Sequence, residues 1–177
     1  APGQNSLGFM LPYSPLHHLL MQHLKTPIVL TSGNISEQPQ CIDNQQAIQQ
    51  LGSCADYFVL HNRDIVNRID DSVLRIINNE PHYYRRARGY APTPLPLSSG
   101  FENTRQILAL GGEMKNTFCL LKDQHLTLSQ HIGNLENLHT YTDYRHHLKL
   151  YQNLFDFQPD AIVIDKHPEY LSSKLGR

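Results

Sequence analysis

Residues 92 to 104 read Pro-Thr-Pro-Leu-Pro-Leu-Ser-Ser-Gly-Phe-Glu-Asn-Thr. Prolines at alternate positions fix φ and remove backbone donors. The stretch is therefore expected to be an extended connector, neither a helix nor the core of a sheet. It divides the 177 residues into a first part, 1–91, and a second part, 105–177. Short apolar runs alternate with turn signals in both, so both parts are expected to be mixed α/β.

In the first part, Leu7 to Leu11 and the β-branched Ile28 to Leu30 are expected as strands. Pro15 to Leu24 is expected as a helix, with proline at its start and an apolar face of Leu16, Leu19, Leu20 and Leu24. Asp43 is a fitting cap for a helix over Asn44 to Leu51. Tyr57 to Leu60, Ser72 to Ile77 and His82 to Arg85 follow as strands, with Asn78-Asn79-Glu80-Pro81 turning between the last two.

Beyond the connector, Ile107 to Leu110, Thr117 to Leu121 and His125 to Leu128 read as strands, the last two joined by Lys122-Asp123-Gln124. Tyr141, Tyr144, Leu148, Tyr151 and Phe155 recur at helical spacing. Ala161 to Asp165 is expected as a buried strand ending in an acid, and a helix begins at Glu169.

Six of the nine arginines (Arg63, Arg68, Arg75, Arg85, Arg86 and Arg88) fall between His61 and Pro92, although 15 basic and 16 acidic residues leave a net charge of −1. A planar guanidinium suits forked binding of phosphate and carboxylate. Clustering at near-neutral charge points to a local anion pocket and not to a surface built for bulk polyanions. The alternative pairs these arginines with Asp64, Asp70, Asp71 and Glu80 as surface ion pairs of small value. Composition alone leaves both open.

With 40% hydrophobic and 18% charged residues the chain suits a globular protein, and no apolar run approaches the roughly 20 residues that span a bilayer. The amino end has neither the basic start nor the apolar core of a secretion signal. Cys41, Cys54 and Cys119 are odd in number and widely spaced, which favours a reducing compartment, with cytoplasm as the expectation. An Ala start and an abrupt Leu-Gly-Arg end make an internal segment of a longer protein the expectation.

Thr31-Ser32-Gly33-Asn34 follows a strand candidate and gathers hydroxyls, an amide and a glycine that permits close backbone approach. It is a candidate phosphate or carbonyl holder, or simply a turn. Ser72, just ahead of a strand, is placed to offer its hydroxyl to the same pocket, with Arg85, Arg86 and Arg88 one hairpin later. Gly111-Gly112-Glu113-Met114-Lys115-Asn116-Thr117 is a second candidate anion turn, though it lacks the Gly-Lys-Ser/Thr ending of a P-loop. Among the 11 histidines, His17-His18 and His146-His147 are adjacent and point about 100° apart on a helix, and no metal-ligand spacing occurs, so no metal site is expected.

Several runs together resemble the YrdC-like domain of the HypF-type carbamoyltransferases of nickel–iron hydrogenase maturation. They are Leu-Gly-Phe-Met-Leu-Pro-Tyr-Ser-Pro-Leu-His-His-Leu-Leu (7–20), Thr-Ser-Gly-Asn-Ile-Ser (31–36), Cys-Ile-Asp-Asn (41–44), Ala-Asp-Tyr-Phe-Val-Leu-His-Asn-Arg (55–63), Arg-Ile-Asp-Asp-Ser-Val (68–73) and Arg-Arg-Ala-Arg-Gly-Tyr-Ala-Pro (85–92). Leu-Ala-Leu-Gly-Gly-Glu-Met-Lys-Asn-Thr-Phe-Cys-Leu (108–120), Leu-Ser-Gln-His-Ile-Gly-Asn-Leu-Glu-Asn (128–137) and Asp-Lys-His-Pro-Glu-Tyr-Leu-Ser-Ser (165–173) are similar to the start of that family's carbamoyl-transfer domain.

The resemblance implies a partial YrdC-like twisted sheet with helices over 1–91. It further implies a partial actin/Hsp70-like, ribonuclease H-like βββαβα unit over 105–177. It implies an enzyme that uses ATP with magnesium and carbamoyl phosphate to form carbamoyl adenylate. The carbamoyl group then passes to the C-terminal cysteine of the partner HypE, for the cyanide ligand. By the same resemblance Thr31, Ser32, Asn34, Ser72 and Arg86, with Arg85 and Arg88, line the nucleotide pocket, and Lys115, Asn116 and Thr117 form the second domain's phosphate loop. Zinc or another metal is implied only outside this segment, as are an acylphosphatase-like domain and a zinc-finger region. Each catalytic domain is present in part, so no activity is expected of the segment alone. The competing readings are a double-stranded RNA or tRNA-binding module, with strongly salt-dependent binding, and an inactive truncated product.

Overall fold

The computed structural model describes residues 2–36 and 38–177. They fall into two compact units, Ala1–Ser32 and Gly33–Arg177. The second unit runs without a break through the proline-rich stretch. None of the helices among the described residues is long and apolar enough to cross a membrane.

In the first unit, helix α1 spans Pro15–Leu24. Ser14 accepts from the His17 amide at 3.2 Å, proline opens the first turn, and Lys25 closes the last one in the left-handed region. Leu16, Leu19, Leu20 and Leu24 nevertheless stay 42–56% exposed. Leu7–Leu11 and Ile28–Leu30 carry no strand, contrary to the sequence expectation. A β-branched run supplies propensity, but a strand exists only where a neighbour completes its ladder, and neither segment has one among the described residues.

The second unit opens with helix α2, Asn44–Leu51, capped by Asp43 through the Gln46 amide at 2.8 Å. Tyr57–Leu60, expected as a strand, is likewise unpaired. Strands β1 (Val73–Ile77) and β2 (Glu80–Arg85) form an antiparallel hairpin, with a register shift between Val73 and Leu74. Asn78 and Asn79 turn it, both with positive φ, the conformation that two-residue hairpin loops require.

A five-stranded sheet follows in the order β3-β6-β5-β4-β7, from β3 (Leu95–Pro96), β4 (Ile107–Ala109), β5 (Cys119–Lys122), β6 (His125–Leu128) and β7 (Ala161–Val163). All neighbours are antiparallel except β4 and β7. Helix α3 (Leu138–Leu154) makes the crossover to β7, and α4 (Leu171–Gly176) closes the chain, so β4 onward reads βββαβα as expected. The stretch is extended only in part: Leu95 and Pro96 form the outer strand beside β6, a position where a missing N–H is tolerated, while Pro92, Ser99, Gly100, Glu102 and Asn103 lie in turns.

The core lies between this sheet and α3: Leu108, Leu110, Phe118, Leu120, Leu135, Tyr144, Tyr151 and Phe157. Phe118 meets Tyr144 and Tyr151 edge-on, at centroid distances of 5.9 and 5.1 Å. Two expectations are corrected here. The strand expected to be buried, β7, is exposed at all three residues because it ends the sheet and pairs only with β4. The last helix starts at Leu171, not Glu169, where the Glu113 carboxylate accepts from the Leu171 amide at 2.8 Å.

Candidate functional site

Strand β2 delivers Arg85 at its end, and Arg86, Ala87 and Arg88 follow directly. Ser72, at the entry to β1, accepts from the Ala87 amide and donates to the Arg88 carbonyl, both at 2.9 Å. Its single donor is thus spent on the backbone of the arginine segment. It positions that segment, where the sequence suggested a hydroxyl turned toward a ligand.

The three arginines have different surroundings. Arg88 Nε binds Asp71 at 3.0 Å and its Nη2 donates to the Ile69 carbonyl at 3.1 Å, so here the ion-pair alternative holds. Arg85 stands 3.9 Å from Asp70 in a loose contact. Arg86 donates from Nη2 to the Thr93 carbonyl at 2.7 Å, while its Nη1 is buried with no acceptor among the described residues. A buried charged donor without a partner is costly, and an anionic oxygen is what would satisfy it.

Thr31, Ser32 and Asn34 are the remaining residues expected at this pocket. Thr31 and Ser32 close the first unit, both exposed. In the second unit Asn34 donates to the neighbouring Ile35 carbonyl at 2.9 Å, and the Cys41 amide closes the loop onto the Gly33 carbonyl at 2.9 Å.

Asp70 is the charged hub that the sequence did not single out. Its carboxylate accepts from Gln40 Nε2 and from His131 Nδ1, each at 2.5 Å, and faces Arg85. Burial pushes the Asp70 pKa up, but the hydrogen bonds from His131 and Gln40 and the electrostatic pull of His131 and Arg85 outweigh it and hold the group below the usual carboxylate value. Beside it, Arg68 Nη1 reaches both oxygens of Asp143 on α3 at 2.8 and 2.7 Å, and Asn67 meets His146 at 3.0 Å. These contacts fasten residues 67–70 to α3 and to the segment after β6. Gln40, Arg68, Asp70, His131, Asp143 and His147 line a cavity of about 20 Å³, room for a single water. His147 is 3% exposed and its Nδ1 has no partner among the described residues.

The glycine-led turn is built from inside. Gly111 has φ +71, and a Cβ there would meet the Thr117 carbonyl at 2.2 Å, so only glycine fits. Asn116, 1% exposed, donates to the Leu110 and Gly112 carbonyls at 3.0 and 2.5 Å, which spends the amide on shaping the loop. Ser172 on α4 adds a bond to the Gly111 carbonyl at 3.0 Å. Lys115, in the left-handed region, is exposed at the tip, and Thr117 is half-buried. Among the described residues no group of three or more His, Cys, Asp or Glu side chains could hold a metal ion.

These features define a mixed α/β protein in which an arginine-bearing hairpin is tied to a βββαβα unit carrying a glycine-led turn. Residues 1–87 match a family model described as Telomere recombination, of the Sua5/YciO/YrdC group, and residues 102–177 match the HypF Kae1-like domain. The carbamoyltransferase HypF of Synechocystis sp. is 44% identical over 176 residues, covering 99% of this chain and 23% of that protein. The Rhodobacter capsulatus carbamoyltransferase HypF is also 44% identical, with 99% and 24% covered. Among solved structures, full-length HypF in a phosphate- and nucleotide-bound form superposes with a TM-score of 0.85 at 47% identity, over 94% of this chain and 26% of that one. HypF of T. kodakarensis gives 0.88 at 36% identity, over 99% and 23%. The chain belongs to the HypF carbamoyltransferase family. It spans about a quarter of the length of these relatives.

Proposed function

We propose that this chain supplies part of an ATP-dependent carbamoyltransferase acting in the cytoplasm. In this reading ATP, with magnesium, and carbamoyl phosphate give carbamoyl adenylate in the YrdC-like stretch, residues 1–91. The carbamoyl group then passes through the unit that begins at residue 105 to the C-terminal cysteine of HypE, with 92–104 as the connector between domains.

One observation carries the reading: the buried Arg86 Nη1 that lacks an acceptor. Water first cleaves carbamoyl phosphate into carbamate and inorganic phosphate. Attack of the carbamate oxygen on the α-phosphorus of ATP then forms carbamoyl adenylate and expels pyrophosphate, which builds negative charge on phosphate oxygens. A donor held in place beforehand stabilises that charge without reorganisation. Arg85, whose ion pair is loose, is a second donor for the same phosphates. Thr31, Ser32 and Asn34 offer hydroxyls and an amide suited by chemical type to phosphate or carbonyl oxygens. Lys115 with Thr117 suits a second phosphate, while the Asn116 amide is held by the Gly133 carbonyl and shapes that turn.

The test is ATP–pyrophosphate exchange dependent on carbamoyl phosphate, measured in a protein of the relatives' length carrying this sequence. Arg86→Ala is expected to lower exchange about 100-fold or more, the scale of losing one preorganised donor, while Arg75→Ala on the exposed face of β1 leaves it unchanged. Exchange that survives Arg86→Ala intact removes the assignment.

A further inference from the structure

The two candidate anion sites, the arginines after β2 and the turn Gly111–Thr117, are joined by a short path of direct contacts. At one end Arg85 Nη1 faces Asp70 Oδ2 at 3.9 Å, and that same oxygen accepts from His131 Nδ1. At the other end the residues after His131 hold the turn. The Ile132 amide donates to the Asn116 carbonyl at 2.8 Å, the Asn116 amide donates to the Gly133 carbonyl at 2.8 Å, and the Lys115 amide donates to Asn134 Oδ1 at 2.9 Å.

We propose that the Asp70–His131 contact couples the two sites, so that an anion drawing Arg85 away from Asp70 is felt at Lys115–Thr117. The proposal rests on the reading that Arg85 and Arg86 receive phosphate groups. Arg85 is the member built to move: its side chain is 38% exposed and its ion pair is long, so release costs little. Asp70 is not orphaned by the release, because Gln40 and His131 still donate to it. With Arg85 gone, the hydrogen bonds from Gln40 and His131 are the contacts left to the Asp70 carboxylate, and their tightening draws His131 and the backbone of 132–134 toward it. Three backbone-anchored hydrogen bonds transmit that shift to the turn, a contiguous physical path and not mere proximity.

The experiment is a titration of the ¹⁵N-labelled 177-residue chain with inorganic pyrophosphate, followed by amide chemical shifts. The amides of Arg85 to Arg88 and those of Ile132 and Asn116 are expected to move with one common midpoint. In Asp70→Asn and in His131→Leu the arginine amides still titrate, while Ile132 and Asn116 fall silent at that midpoint. His131→Asn, whose side-chain amide donates from close to the Nδ1 position, restores the common midpoint; a purely structural role would not separate these two His131 variants. Ile132 and Asn116 responding in Asp70→Asn and His131→Leu as they do in the unaltered chain would overturn the coupling, since the turn would then be binding pyrophosphate for itself. Arginine amides that titrate alone in the unaltered chain overturn it as well and leave the phosphate reading standing. If no amide titrates, the phosphate reading fails and the coupling falls with it.

Discussion

The β1–β2 and β5–β6 hairpins close on the same kind of turn, two left-handed residues, Asn78-Asn79 in one and Asp123-Gln124 in the other. Their surroundings are opposite. Strands β5 and β6 lie inside the five-stranded sheet and put Leu120 and Thr127 into the core against α3. Strands β1 and β2 form a two-stranded sheet whose residues from Val73 to Tyr84 are all exposed. An isolated hairpin of that kind is marginal in water. Here polar ties secure it: Ser72 to the arginine backbone, Asp70 to His131, Arg68 to Asp143. Apolar burial holds one hairpin, while directional contacts hold the one that carries the candidate anion-binding arginines, and directional contacts can be exchanged for a ligand.

The largest expected effect contrasts the two hairpins directly. Phe118→Ala, at a fully buried ring between Tyr144 and Tyr151, is expected to cost about 3–5 kcal/mol in urea unfolding. Ile76→Ala, on the exposed β1, should stay within about 0.5 kcal/mol; equal losses would erase the distinction. Gly111→Ala forces a Cβ onto the Thr117 carbonyl and strains a positive φ, for an expected loss of about 1–3 kcal/mol by the same measurement. Asp143→Asn leaves the Arg68 guanidinium without its anion in a mostly enclosed site, and about 1–3 kcal/mol should be lost. Limited proteolysis should then show faster cutting around residues 67–88 with 107–154 still protected.

A smaller, pH-dependent effect sharpens the same point. Burial, aided by the neighbouring His146 and Arg68 and opposed by Asp143, pushes the His147 imidazole down to about 4. The unfolded chain takes up that proton near the ordinary histidine value of 6.5 and the folded chain only near 4. Stability therefore falls as pH drops across that window, by up to about 1.4 kcal/mol per pH unit. The depressed Asp70 carboxylate adds a loss at lower pH, as it is protonated. Thermal melts from pH 7 to 4 should show the first slope in the unaltered chain and a flatter one in His147→Leu.

Much of the local structure was legible in the sequence because local rules govern it. Helix α1 begins at Pro15, which opens its first turn, α2 begins where Asp43 caps it, and β6 spans the His125 to Leu128 expected as a strand. The aromatic spacing of Tyr144 and Tyr151 marked the buried face of α3. What stayed hidden depends on distant partners. Leu7–Leu11, Ile28–Leu30 and Tyr57–Leu60 have strand composition, but pairing is a property of the neighbour, which composition does not encode. Asp70 meets His131 across 61 positions, and Arg68 meets Asp143 across 75. Both acids look like ordinary surface charges in a single sequence. The candidate site was legible by residue type at Arg85, Arg86 and Arg88, and only geometry separates the committed Arg88 from Arg86, whose buried Nη1 lacks an acceptor among the described residues.

The division between a hairpin held by packing and one held by exchangeable polar ties is tested most directly by native-state amide hydrogen exchange of the whole chain. The amides of Leu120, Thr127 and Tyr144 should exchange only through global unfolding, and those of β1 and β2 through a local opening that Asp143→Asn makes easier. Equal protection in both hairpins, or an Asp143→Asn effect spread evenly over the sheet, would contradict the account.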